Sequence, residues 1–131
     1  MTGLVLLVDD NAFIRRRIRA LFEAEDGFHV CGEAEHGQEA IEKAVVLNPH
    51  LIVLDLEMPV MNGLQAAPAL LKRVPEVVII MFTLFADGTI ENIARGIGIH
   101  AVVSKDKAHT LIPTAHTLLR RTRTDGHPAT A

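Results

Sequence analysis

Several side chains that can bind metal ions or transfer chemical groups follow directly after short apolar runs of the chain. They are the acidic pair Asp9 and Asp10, the acid Asp55, the hydroxyl of Thr83, and Lys105. Carboxylate oxygens are the ligands of Mg²⁺, an ion that keeps several of its waters when a protein binds it. An aspartate can also act as a nucleophile and form an acyl phosphate. If folding gathers these groups, the sequence predicts a Mg²⁺ site beside an acceptor carboxylate, with a lysine and a hydroxyl to hold phosphoryl oxygens.

Each of these residues alone has a simpler explanation. A single aspartate at the end of a strand is usually a helix cap or a turn residue, and a single lysine in a loop is usually solvated. The combination favours function, because a capping role requires neither an acidic pair nor a threonine and a lysine after the other runs.

The apolar runs that precede these residues have the pattern of buried parallel strands. They are rich in Val, Ile and Leu without polar alternation, as expected for strands covered on both faces. The predicted strands are 4–8, 28–32, 51–54, 77–82 and 101–103. Helical stripes lie between them, so the predicted fold is α/β, a doubly wound five-stranded parallel sheet with five helices. Ligands of such sheets bind outside the carboxyl ends of the strands, where the candidate residues would meet.

Two prolines fall within predicted helices. Pro68 lies about one turn inside the third helix, 64–74, where it removes a hydrogen bond and clashes with a carbonyl, so we expect a kink or a late helix start. Pro113 is acceptable because it falls in the first turn of the last helix if Thr110 is the cap.

Composition excludes several other classes of protein. The 131 residues fit one domain, and 49% hydrophobic residues with a net charge of −3 argue against disorder and give no general attraction to nucleic acid. No uncharged apolar run approaches the ~18 residues of a membrane span. The N-terminus lacks the features of an export signal. The single cysteine, Cys31, excludes an intramolecular disulfide and favours a cytoplasmic location. The seven histidines include no HxxxH pair, so a zinc site is not expected.

The first helix carries a group of basic residues. We interpret them as a solvated face balanced by Glu23 and Glu25, with docking of a kinase phosphotransfer domain as the alternative. They are Arg15, Arg16, Arg17 and Arg19.

The chain resembles the receiver domain of bacterial two-component response regulators over about residues 3–120. The resemblance rests on LLVDDN at 6–11, LIVLDLEMPVMNGL at 51–64, IIMFT at 79–83 and VVSKD at 102–106. The motif MPVMNGL at 58–64 and the Lys-Asp pair at 105–106 are most similar to those in receivers of LuxR-type regulators. The resemblance implies a CheY-like, flavodoxin-like fold with strand order 2-1-3-4-5. It also implies a receiver domain over 3–120. The run 121–131 is polar and aperiodic, and this pattern predicts a C-terminal tail or truncated linker.

The resemblance implies a role for each acidic residue of the site. Asp55 would accept a phosphoryl group from a histidine kinase or phosphotransfer domain in a phosphorelay. Asp10 and Asp55 would bind Mg²⁺ directly, the backbone carbonyl of Glu57 would be a third ligand, and Asp9 would act largely through a water.

The resemblance also implies how the phosphoryl group is held and sensed. Lys105 would pair with the acid and then with the phosphoryl group. Thr83 would swing toward a phosphoryl oxygen, which the amide of Leu84 would also stabilise.

Three residues depart from the family pattern. Val102 stands where many receivers have a rotating Phe or Tyr, so aromatic rotation is impossible here. Leu84 is bulky where a small residue is common, and we hypothesise that it screens the acyl phosphate from water. Phe85 is apolar where relatives often carry a polar residue that influences hydrolysis. The relay from Thr83 to the output surface is therefore expected to be altered.

The reading as a receiver predicts a switch and no turnover of an external substrate, so the chain is not expected to be an enzyme. Transcription could be controlled through an effector domain absent from this sequence. Self-association into a homodimer is left open, and neither direct nucleic-acid binding nor membrane binding is expected. Two alternatives stay open: a haloacid dehalogenase-type phosphatase, and a pseudo-receiver that acts as a phosphorylation-independent interaction module.

Overall fold

The computed structural model describes residues 2–125, which form five strands, five α-helices and one 3₁₀ segment. In chain order they are β1 (Gly3–Val8), α1 (Ala12–Glu23), β2 (Phe28–Ala34), α2 (Gly37–Leu47), β3 (Leu51–Leu54), α3 (Gly63–Arg73), β4 (Val78–Thr83), α4 (Gly88–Ile97), β5 (Ala101–Ser104), the 3₁₀ segment (Lys105–Thr110) and α5 (Leu111–Asp125). The five predicted strands are all present, each within two residues of its predicted bounds.

The strands form one parallel sheet in the order β2-β1-β3-β4-β5, which confirms the predicted fold and strand order. Register aligns the carboxyl ends of neighbouring strands: Val8 pairs with Leu54, and Thr83 pairs with Ser104. The residues that follow these ends therefore lie along one edge of the sheet.

Helices cover both faces of the sheet and bury two apolar layers. Successive residues of β1 point to opposite faces, so Leu6 packs in one layer and Leu7 in the other. The layer of Leu6 contains side chains of α2, α3 and α4, and the layer of Leu7 contains side chains of α1 and α5. This two-sided cover explains why the strand sequences lack polar alternation.

Helix α3 begins earlier than expected. The expectation of a late start at Pro68 is wrong, because a capping box fixes the beginning of the helix at Gly63. The amide of Gln65 donates to Asn62 Oδ1 over 2.8 Å, and the amide of Asn62 donates to Gln65 Oε1 over 3.0 Å. The helix then continues through Pro68 to Arg73.

Helix α5 begins at Leu111, so Pro113 lies in its first turn as predicted. The helix extends to Asp125, five residues into the segment 121–131 that we predicted as a polar tail or linker. The remaining part of that segment, 126–131, lies outside the described residues. Within residues 2–125, none of the helices has both the length and the apolar character needed to cross a bilayer.

Candidate functional site

Three aspartates meet at the carboxyl edge of the sheet. Asp9 follows β1 and Asp55 follows β3, and hydrogen bonds of the sheet continue through both: the amide of Asp9 donates to the carbonyl of Ala34, and the amide of Asp55 donates to that of Val8. One carboxylate oxygen from each of Asp9, Asp10 and Asp55 lies within 4.8 Å of the other two. Asp9 and Asp55 are buried, at 2% and 5% exposure, and Asp10 is exposed. The expected convergence of the acids is therefore present.

Lys105 enters the same cluster from the end of β5. Its Nζ lies 2.7 Å from Asp9 Oδ2 and 3.2 Å from Asp55 Oδ1, and its side chain is 12% exposed. Burial lowers the pKa of this lysine, but the hydrogen bond and charge of Asp9 and the charge of Asp55 outweigh burial and leave the pKa raised. Lys105 is therefore a permanent cation between two carboxylates.

The cluster retains an excess of negative charge. Burial is the main cause that raises the pKa of Asp55 from 3.8 to about 6; the charge of Asp9 adds to it, Lys105 opposes it, and Asp10 adds further. Three carboxylates and one ammonium leave two uncompensated negative charges when all are ionised. A hard divalent cation with oxygen ligands matches both the charge and the donor set, so Mg²⁺ fits the three aspartates.

The loop between β3 and α3 is held tightly beside Asp55. A Cβ atom at Gly63 would collide with the carbonyl oxygen of Asp55, so glycine is required there. The amide of Gly37, at the start of α2, donates to the carbonyl of Met61 over 3.1 Å. Val60 has a φ of 68°, a left-handed conformation that is costly for a β-branched residue. Glu57, the expected third metal ligand, lies in this loop with an exposed side chain.

The remaining expected residues lie on β4, β5 and the loop after β4. Thr83 is buried, and its Oγ1 accepts a hydrogen bond from the amide of Phe85 over 3.1 Å. Leu84 and Phe85 are exposed, at 62% and 53%. Val102 is half-buried and packs against the layer that contains α2, α3 and α4.

Sequence reasoning missed the contacts of Arg15. Its Nη1 donates to the carbonyl of Asp9 over 2.5 Å, and its Nε pairs with Glu33 of β2 at 2.8 Å. The interpretation of a solvated face holds for Arg16 and Arg17, which are exposed. Of the two expected acidic partners, Glu23 pairs with Arg19, and Glu25 contacts His116 instead. Helical spacing contained a signal, because Arg15 and Arg19 lie four residues apart on one face.

Comparison with known proteins identifies the class to which this fold and site belong. The family model for the response regulator receiver domain matches residues 5–116, so the chain belongs to the response regulator receiver domain family of two-component systems. Receiver domains bind Mg²⁺ at an acidic pocket and interact with histidine kinases or phosphotransfer partners.

Individual relatives agree with the family. Over 79 residues the chain is 46% identical to a protein-glutamate methylesterase/protein-glutamine glutaminase of Pseudoalteromonas atlantica. The aligned segment makes up 60% of this chain and 21% of that protein. The first curated relatives are thus matched over only about a quarter of their length.

Two solved structures are also similar. A LuxR-family response regulator from Aurantimonas sp. SI85-9A1 superposes with a TM-score of 0.87 at 26% identity, covering 92% of this chain and 86% of that one. The response regulator domain of Thermotoga maritima CheB superposes with a TM-score of 0.79 at 32% identity. The superposition covers 95% of this chain and 96% of that one.

Proposed function

We propose that Asp55 accepts a phosphoryl group from a phosphohistidine of a histidine kinase or phosphotransfer domain. The bond between phosphorus and the histidine nitrogen breaks as a bond between phosphorus and an Asp55 carboxylate oxygen forms. One observation carries this proposal: the buried Asp55 carboxylate lies between two further acids and Lys105. No other described cluster combines a buried carboxylate with both a candidate cation site and a lysine.

The proposal assigns a task to each neighbour of Asp55. Asp10, Asp55 and the carbonyl of Glu57 would hold Mg²⁺ directly, and Asp9 would act largely through a water. Bound Mg²⁺ would neutralise charge on the phosphoryl oxygens. Lys105 would hold a phosphoryl oxygen, because its ammonium already lies 3.2 Å from the acceptor carboxylate.

Thr83 and Leu84 complete the proposed phosphoryl-binding set. The Thr83 hydroxyl would exchange its hydrogen bond from the Phe85 amide for a contact with the phosphoryl oxygen, and the Leu84 amide would donate beside it. This exchange would couple the state of Asp55 to the loop after β4 and to Val102, and so change a partner-binding surface.

The chain would have no turnover on an external substrate. An effector domain outside these residues would produce the output, and control of transcription is one such output.

Incubation with acetyl phosphate and Mg²⁺, followed by intact-protein mass spectrometry, tests the proposal. We expect one phosphoryl group on the wild type, none without Mg²⁺, and none on Asp55→Asn. Asp106→Asn is a matched control, because Asp106 is an exposed acid next to Lys105 and should leave labelling unchanged. An unlabelled wild type would favour the phosphorylation-independent module, and repeated release of free phosphate from small phosphoesters would favour the phosphatase.

A further inference from the structure

Arg15 links the acidic cluster to the neighbouring edge strand. Its guanidinium makes two contacts at once: Nη1 donates to the backbone carbonyl of Asp9, and Nε pairs with Glu33 Oε1 of β2. The side chain of Arg15 is only 13% exposed. A planar guanidinium held at two points by partners from different elements has little freedom to move.

The carbonyl that Arg15 binds belongs to the peptide that joins Asp9 to Asp10. A peptide unit is planar, so fixing its oxygen also fixes the direction in which the chain enters Asp10. Asp9 is held at further points, since its amide donates to Ala34, its Oδ1 accepts from the amide of Asn11, and its Oδ2 accepts from Lys105. Asp10 is exposed, so its position depends on the backbone that leads to it.

Glu33 anchors Arg15 and is shared with Arg19. The second carboxylate oxygen of Glu33 accepts from Arg19 Nε at 2.8 Å, and the Glu33 carbonyl accepts from Lys43 of α2. Hydrogen bonds from Arg15 and Arg19 overcome the effect of burial and lower the pKa of the Glu33 carboxyl. Arg15 contacts the Asp9 carbonyl and the Glu33 carboxylate and none of the three aspartate side chains, so its contact with the acidic cluster is to the backbone.

We propose that Arg15 is a positioning residue for the metal site, and that Glu33 is its anchor. Arg15 holds the Asp9–Asp10 peptide so that the Asp10 carboxylate is directed toward the cation before the cation binds. This inference rests on the proposed function, because it assumes that the three aspartates bind Mg²⁺. Partners that orient metal ligands typically change metal affinity when removed and leave the chemistry of the ligands unchanged.

The chain offers a matched control in Arg19. Arg19 lies on the same helix and pairs with the same carboxylate at the same 2.8 Å, and it contacts Glu33 and Glu23 rather than Asp9. Replacing either arginine with Met breaks one ion pair of Glu33 and keeps most of the apolar length. Only the Arg15→Met variant removes the contact to the Asp9 carbonyl.

Calorimetric titration of the whole chain with MgCl₂ tests the proposal. We expect Arg15→Met to weaken Mg²⁺ binding by about tenfold and Arg19→Met to leave it unchanged. Arg15→Lys, which keeps the charge but replaces the planar guanidinium with a single ammonium group, should fall between them. At saturating Mg²⁺, Arg15→Met should take up phosphoryl groups from acetyl phosphate at the wild-type rate. In EDTA, the Asn11 amide should exchange hydrogen faster in Arg15→Met and not in Arg19→Met.

Equal Mg²⁺ affinity in wild type and Arg15→Met would overturn the inference, and so would equal losses in the two Met variants, which would indicate general support of α1. If Arg15→Met does not fold, the comparison of Arg15→Lys with Arg19→Lys decides in the same way. A wild type that binds no Mg²⁺ would instead refute the proposed function, and the inference with it. The titration of the unmodified chain separates that case from the others.

Discussion

Lys105 lies closer to Asp9 than to Asp55: its Nζ is 2.7 Å from Asp9 Oδ2 and 3.2 Å from Asp55 Oδ1. The acid that binds the lysine more closely is therefore not the proposed acceptor. The Lys105 ammonium, which Asp9 anchors, can therefore remain in place while the Asp55 carboxylate changes from a free anion to an acyl phosphate. This division suggests separate effects for removing the lysine and for removing the acceptor.

Replacing Lys105 with Met should raise the pKa of Asp55 above its value of about 6, because the lysine charge and hydrogen bond lower that pKa in the wild type. Carbon-13 NMR of the Asp55 carboxyl, titrated with pH in EDTA, measures the change. Lys107→Met is the control, since Lys107 is exposed in the same 3₁₀ segment and should leave the titration unchanged. An unaltered Asp55 titration in Lys105→Met would contradict the electrostatic account of the site.

Replacing Asp55 with Asn should stabilise the metal-free protein at neutral pH. The folded state raises the pKa of Asp55 from 3.8 to about 6, so folding favours the protonated form. The contribution of Asp55 to the free energy of unfolding is full below pH 3.8 and is lost as the pH rises through about 6. Removing the ionisable group should therefore add up to about 3 kcal/mol at neutral pH and little below pH 4.

Urea unfolding in EDTA at several pH values checks this prediction. The difference between Asp55→Asn and wild type should grow as the pH rises from acid to neutral. Asp106→Asn, which replaces an exposed acid, should follow the wild-type profile throughout. A constant difference across the pH range would refute a penalty that arises from ionisation of Asp55.

Strand ends could be predicted from the sequence because buried parallel strands have an unbroken apolar pattern. Leu51–Leu54 has the predicted bounds, and the acids and the lysine meet because they follow such runs. The edge strand β2 extends two residues beyond its prediction, since Glu33 interrupts the apolar pattern while its side chain binds the arginines of α1. A shift of register between β1 and β2 was also invisible in the sequence.

Contacts between residues distant in the chain could not be predicted from local patterns. The bond from Gly37 to the carbonyl of Met61, and the bond from Arg15 to the carbonyl of Asp9, depend on how helices and loops approach each other after the sheet forms. Of the two expectations for Pro68, a kink or a late start, the late start is wrong, because the capping box at Asn62 stabilises the first turn and the helix buries Ala66, Ala67 and Leu70.

Val60→Gly should stabilise the protein by about 1 kcal/mol, because a left-handed residue with a Cβ pays a steric cost that glycine avoids. Val60 is 79% exposed, so little packing is lost with its side chain. Val60→Ala is the control, since alanine keeps the Cβ and most of the strain. Chemical denaturation should place the glycine variant above both the alanine variant and the wild type, and a glycine variant no more stable than Val60→Ala would argue against strain.

Leu84→Ala should shorten the lifetime of the phosphorylated protein roughly threefold, which corresponds to about 0.7 kcal/mol in the barrier to hydrolysis. Leu84 follows the buried Thr83 at the edge that carries Asp55, and its side chain would restrict the approach of water. Loss of phosphate after removal of acetyl phosphate, followed by mass spectrometry, gives the rate. Val46→Ala, which shortens another exposed aliphatic side chain, on α2, should decay like the wild type, and an unchanged rate in Leu84→Ala would remove the screening role.

Two histidines at the opposite edge of the sheet have the same arrangement. His100, just before β5, donates its amide to the carbonyl of Ile79 over 2.9 Å, and its ring Nδ1 accepts from the amide of Ile79 over 3.1 Å. His50, just before β3, makes the same pair of bonds with Leu4, at 2.9 Å each. A ring nitrogen can accept only when it is unprotonated, so the contact of His100 with the Ile79 amide requires a neutral imidazole.

His100 should therefore make the protein less stable as the pH falls. Burial lowers the pKa of His100 below 6.5, so the unfolded chain takes up a proton that the folded chain resists, and stability is lost as the pH falls below 6.5. Asp55 has the opposite slope below pH 6, so the test belongs in the Asp55→Asn background. In that background, His100→Asn keeps an acceptor that does not titrate. The free energy of unfolding should therefore fall less steeply below pH 6.5 than in the parent. His100 and His109 are both exposed, but only His100 accepts from the amide of Ile79, so His109→Asn should not change the dependence of stability on pH. Parallel dependences for His100→Asn and its parent would show that His100 does not carry the acid sensitivity.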